Sequence, residues 1–155
     1  MATTQEMEMI PEEQYQQILA TMPVFCVDWL IRCDDQYLLL KRTQQPLKGC
    51  YWIIGGRLRH HERLAEAAQR LQTRELGRFC GLGELAGFSN YMFDQNVEER
   101  RATHTPAISY VVDVEEQFIP TLDDTESEYI WTPRLPRDYI VHTTLIQSLK
   151  FEGMI

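Results

Sequence analysis

GRLRHHERLAEAAQRLQTRELGR, residues 56–78, divides into a basic loop and a helix. Leu64–Leu76 is the clearest helix in the chain, and Gly77 closes it as a C-cap. At about 100° per residue, Leu64, Ala67, Ala68 and Leu71 share one apolar stripe, and Glu75 falls about 20° from Leu64. A carboxylate therefore sits near the middle of the apolar face. Burying it unpaired costs on the order of several kcal/mol, so it pairs with a cation, binds a metal, or turns to water in a frayed last turn. Just upstream, Gly55-Gly56 reads as a turn whose bare backbone lets a ligand approach closely. Arg57, Arg59, Arg70 and Arg74 flank the segment. A carboxylate, a bare turn and guanidiniums together suit a hard cation bound to a diphosphate. Magnesium takes one or two carboxylates and fills its shell with phosphate oxygens and water, while arginines grip the remaining phosphate charge.

Outward from this stretch, residues 11–22 read as a first helix, with Pro11 at its first position and Pro23 stopping it. Residues 25–32 and 37–42 read as strands joined through an Asp34-Asp35 turn, hence a hairpin. Residues 51–54 make a short strand. Residues 86–93 and 108–114 are expected strands, separated by an exposed polar loop at 94–105. A short strand at 129–131 and a last helix at 142–150 complete the reading. Strands and helices do not alternate regularly, which argues for an α+β chain or a mixed-sheet sandwich rather than a doubly wound fold.

The length of 155 residues suits one domain, with residues 1–23 as a helical N-terminal extension. Acidic residues outnumber basic ones by 23 to 15, a net charge of −8, which disfavours nucleic acid and anionic membrane as partners. No apolar run reaches the roughly 18 residues of a membrane span. The start MATTQEMEMIPEEQ lacks the basic and apolar regions of a signal peptide. Cys26, Cys33, Cys50 and Cys80 show no C-x-x-C spacing and read as reduced thiols, consistent with a cytoplasmic protein.

Gly56, Glu62, Arg70, Glu75 and Gly77 fall at the spacing of the Nudix box, G-x5-E-x7-R-E-U-x-E-E-x-G-U, where U is aliphatic. The chain thus resembles the Nudix hydrolases, which implies an α+β fold of mixed β-sheets sandwiched between α-helices. Two departures matter. Leu71 stands where the box has Glu after its Arg, and Arg74 stands where the first of the later Glu pair belongs. The same losses resemble the GDP-mannose mannosyl hydrolase branch. Similarity to that branch extends to the strand with Asp28, to LLLKRTQQPLKGCYW, to the strand at 87–94, to SYVV at 109–112 and to Val141-His142.

The resemblance implies magnesium-dependent hydrolysis of a nucleoside diphosphate sugar, GDP-mannose to GDP and mannose, by C–O cleavage with inversion, in a homodimer. Manganese is an alternative cofactor. Carried over by position, the Gly55 carbonyl and Glu75 are the metal contacts and His142 is the general base. Arg42, Arg57 and Arg70 act on the departing nucleotide, with Asp28 and Tyr110 contacting substrate. Histidine titrates near neutrality, which suits a base toward water. Glu62 is expected to support the loop, His60 and His61 to be solvated, and His104 to be the second candidate base. Two rival readings stand beside this one: a pyrophosphohydrolase cleaving P–O in a nucleotide sugar, and a binding module with little catalysis.

Overall fold

The computed structural model describes residues 10–44, 47–93 and 103–133. In chain order the elements are α1 (Glu12–Thr21), β1 (Cys26–Cys33), β2 (Gln36–Arg42), β3 (Tyr51–Trp52), β4 (Ile54–Arg57), α2 (Leu64–Leu76), β5 (Glu84–Phe93), β6 (Thr103–Asp113) and β7 (Glu126–Thr132). The helix expected at 142–150 lies outside the described residues, as does His142.

All seven strands join one mixed sheet with the path β3-β2-β1-β6-β5, β4 pairing with β1 and β7 with β2. Among the described strands only β1 and β6 run parallel. β1 is the hub. Its residues 26–29 pair with β4 on one side while residues 26–32 pair with β6 on the other, and its last two residues open the hairpin into β2. Such a central strand is covered on both faces and reads as an almost continuous apolar run. Val27, Trp29 and Ile31 enter the cluster shared with α2, whereas Leu30 enters a second cluster with Tyr37, Leu39 and Trp52.

The hairpin appears where Asp34-Asp35 placed it, with Asp34 at φ 51° in the left-handed region that Asp tolerates. Pro11 sits at the N-cap of α1 rather than inside its first turn. Of the loop expected at 94–105, residues 103–105 belong instead to β6, and 94–102 lie outside the described residues. α2 has the bounds its periodicity gave, and Gly77 caps it at φ 72°. At the other end, Glu66 accepts a hydrogen bond from the Arg63 amide at 2.8 Å, half of a capping box. Ala67, Ala68, Leu71 and Leu76 seat the helix in the core beside β4 and β1. No helix among the described residues is long and apolar enough to cross a membrane.

Candidate active site

The Gly55-Gly56 pair is strand, not the turn that its composition suggests. Gly55 lies opposite Asp28 and Gly56 opposite Val27 in the β1–β4 ladder. What the glycines supply is missing bulk. A Cβ on Gly55 would fall 2.1 Å from Asp28 Oδ1, and one on Gly56 would fall 3.0 Å from Leu71 Cδ2. The Asp28 carboxylate and helix α2 thus press on the same bare segment of backbone.

Glu75 reaches that segment from the last turn of α2. It is buried, at 3% exposure, so the frayed alternative is excluded. Its Oε2 accepts the Gly55 amide at 3.3 Å and its Oε1 accepts Arg74 Nη2 at 2.6 Å. The expected buried carboxylate is therefore paired with a cation from its own helix. Burial pushes the Glu75 carboxyl up to about 7, in spite of the Arg74 charge and hydrogen bond, and the nearby Glu126 charge adds to the rise. Asp28, also buried, is lifted to about 7 by burial and then by Glu75, with Arg42 pulling the other way.

Glu126 was not anticipated. It opens β7 directly opposite Arg42 in the β2–β7 ladder. Its Oε2 is buried with no hydrogen-bond partner among the described residues. Burial lifts this carboxyl to about 7 as well, against Arg42, with Asp123 adding and Thr125 and Arg74 opposing. In sequence it hides inside the acidic run 123–128, which reads as a solvated turn. Only the cross-strand register with Arg42 singles it out.

Other expected site residues are held by different partners. Arg70 grips Glu62 with two hydrogen bonds, at 2.5 and 2.8 Å, and donates to the Arg57 carbonyl at 3.1 Å. The Arg59 amide donates to the same Glu62 carboxylate at 2.9 Å. Burial alone would raise the Glu62 carboxyl. These hydrogen bonds and the charges of Arg70 and Arg59 outweigh it and hold the group below the usual range. Arg70 and Glu62 thereby clasp the loop between β4 and α2. Arg57 stacks its guanidinium on the Tyr15 ring of α1, 4.7 Å from the centroid. Tyr110, which the resemblance makes a substrate contact, is buried and stacks on Trp29 at 6.3 Å and 18°. His60 and His61 are exposed as expected. His104 lies on β6 and contacts Asn90 Oδ1 at 2.7 Å. All four cysteines are free thiols.

Asp28, Arg42, Gly55 and Glu75 are therefore gathered at one place, together with Glu126 and Arg74. Among the described residues no group of three or more His, Cys, Asp or Glu side chains is placed to hold a metal alone. The donors at hand are oxygens: the Glu75 carboxylate, the Gly55 backbone and, beside them, Glu126. Three carboxyl groups gather there, each lifted to about 7 chiefly by burial, against the pull of Arg42 and Arg74. That fits a hard divalent cation whose shell is completed by phosphate oxygens and water.

Comparison with known proteins identifies the family. A family model described as the NUDIX domain matches residues 22–135. The chain is 29% identical over 120 residues to the low-salt glycan biosynthesis protein Agl8 of Haloferax volcanii, covering 77% of this chain and 72% of that one. It is 29% identical over 127 residues to an ADP-ribose pyrophosphatase of Methanocaldococcus jannaschii, covering 81% and 72%. Among solved structures, a MutT NUDIX hydrolase from Burkholderia pseudomallei superposes with a TM-score of 0.64 at 19% identity, covering 83% of this chain and 98% of that one. The NUDIX domain of Shewanella oneidensis NrtR, complexed with ADP ribose, gives 0.63 at 16% identity, covering 92% and 99%. At such identities the two structures speak for the fold alone. Since the family model spans residues 22–135 and takes in β1 to β7 with the Gly55–Glu75 site, the chain belongs to the NUDIX domain family of hydrolases.

Proposed function

We propose that the chain is a divalent-metal-dependent hydrolase of a nucleoside diphosphate sugar, releasing the sugar from GDP-mannose by C–O cleavage with inversion. The observation that carries this reading is that α2 offers its site a single carboxylate. At the first lost box position Leu71 is buried against Gly56, and at the second Arg74 brings a positive charge instead. Attack at phosphorus asks for metal around the attacked atom, whereas departure of a diphosphate asks mainly for charge neutralisation. When bound at Glu75 and Gly55, magnesium supplies that neutralisation. Arg42 and Arg57 grip the phosphate oxygens, Asp28 orients the substrate, and the Arg70–Glu62 clasp positions the loop that carries Arg57. His142 takes the proton from the attacking water.

Cleavage of P–O is the second reading. It is favoured by Asp28 and Glu126, which place two further carboxyl groups beside Glu75, and by the similarity to an ADP-ribose pyrophosphatase. Hydrolysis in heavy-oxygen water separates the two. We expect the label in mannose, with the β anomer appearing first by rapid proton NMR. Label in the nucleotide, with a sugar phosphate as co-product, would establish the second reading. No turnover of GDP-mannose or ADP-ribose with magnesium, while either ligand still raises the melting temperature, would leave a binding module.

A further inference from the structure

Arg74 stands at the site and has no role in the scheme above. Its box position ordinarily carries an acid, yet here it donates to the one carboxylate that α2 retains. Nη2 lies 2.6 Å from Glu75 Oε1, and Nε lies 3.3 Å from Asp123 Oδ2, which approaches from the loop before β7. A Cβ on Gly56 would come within 4.0 Å of the same Nη2, so the guanidinium lies over the bare backbone of β4. Its charge is also felt at Glu126. The guanidinium thus sits among the groups that would hold a metal. Unlike its partner it is not enclosed: the Arg74 side chain is 47% exposed, and that of Glu75 only 5%.

We propose that Arg74 is a resident counter-ion that a divalent metal displaces from Glu75, and that the freed guanidinium then binds the diphosphate of the substrate. This rests on the metal site proposed at Glu75. A guanidinium 2.6 Å from Glu75 Oε1 and a divalent ion on the same carboxylate are like charges within contact distance, and they repel. Metal alone therefore binds against the Arg74 charge and drives the half-exposed guanidinium off the buried carboxylate, so the empty protein binds it weakly. A diphosphate changes the balance, because a planar guanidinium fork suits phosphate oxygens. A half-exposed side chain changes partner without leaving a buried charge behind. Metal and diphosphate consequently help each other bind, and by linkage the help is reciprocal.

The experiment titrates manganese into the wild type, Arg74→Ala, Arg74→Lys and Glu75→Gln, reading free metal by electron paramagnetic resonance, without nucleotide. GDP affinity is then measured by calorimetry at saturating manganese. Melting curves establish that each variant is folded, and Arg74→Lys serves if Arg74→Ala is not. We expect Arg74→Ala to bind manganese alone roughly three- to tenfold more tightly than the wild type, the span of a partly buried charged hydrogen bond. It should bind GDP with manganese about tenfold more weakly, with Arg74→Lys between the two in both readings. Manganese affinity unchanged or weakened in Arg74→Ala, with Glu75→Gln defective, overturns the proposal and leaves Arg74 a last-turn cation favourable to the helix dipole. Undiminished manganese binding in Glu75→Gln instead overturns the metal site itself.

Discussion

Glu75 combines burial with charge, and its consequences are testable at the level of one atom. Glutamine at this position keeps the shape and the contact with the Gly55 amide, but loses the anion that faces Arg74 and any metal. Glu75→Gln should lower kcat/KM at least about 10²-fold, the scale on which lost electrostatic stabilisation is felt. The check is turnover of GDP-mannose and ADP-ribose across a magnesium series. Full activity at low magnesium would remove Glu75 from the metal site. The sequence exposed this residue because helical periodicity alone put a carboxylate in an apolar stripe. It could not name the partner, because Arg74 is adjacent in sequence and a helix turns adjacent residues about 100° apart. Only the side-chain path in the folded chain brings that guanidinium back onto Glu75.

At the level of elements, α2 is seated by side chains that meet bare backbone. Leu71 is 1% exposed and packs on Gly56, in a place where a Cβ would crowd it. Leu71→Ala should cost roughly 2–5 kcal/mol of stability, the transfer term plus the cavity left behind. Urea unfolding followed by circular dichroism measures this. A cost below about 1 kcal/mol would mean that α2 is anchored elsewhere. The Gly55-Gly56 pair shows why strand and turn are confused in sequence. Two adjacent glycines suit a turn, but they equally suit a strand that a carboxylate and a helix both approach. Neither glycine adopts a positive φ, so conformational freedom is not what they provide.

For the whole molecule, the burial of three carboxyl groups shows itself as pH dependence. Asp28, Glu75 and Glu126 lie near 7 in the folded protein, whereas carboxyls of an unfolded chain titrate near about 4. Between these values the folded state binds more protons than the unfolded one. Stability from these groups is therefore fully present below the unfolded pKa and is lost as pH rises through about 7. Glu62 acts in the opposite sense: its lowered pKa stabilises above the unfolded value and is lost as pH falls. With a chelator present, the melting temperature should peak near about pH 5 and fall toward pH 8. Magnesium, by favouring the ionised carboxylates, should flatten that fall. A melting temperature that climbs from pH 5 to 8 in chelator would show that the three groups are already ionised at the lower pH.

The sequence by itself determined α2 to the residue, the β1–β2 hairpin, the box spacing and a carboxylate on the apolar stripe at Glu75, whose burial the structure decided. These follow from local periodicity, capping and turn chemistry, which act over a few residues. Tertiary structure decided the rest. It turned Gly55-Gly56 into the strand opposite Asp28, committed Arg70 to Glu62 and stacked Arg57 on Tyr15. It also buried Tyr110 with Trp29 and carried Glu126 across the β2–β7 ladder to Arg42. Each of these is a contact between elements distant along the chain or a side-chain choice among several reachable partners. Register and burial, rather than propensity, fix such contacts, because the energy of a charge depends on what surrounds it after the chain has closed.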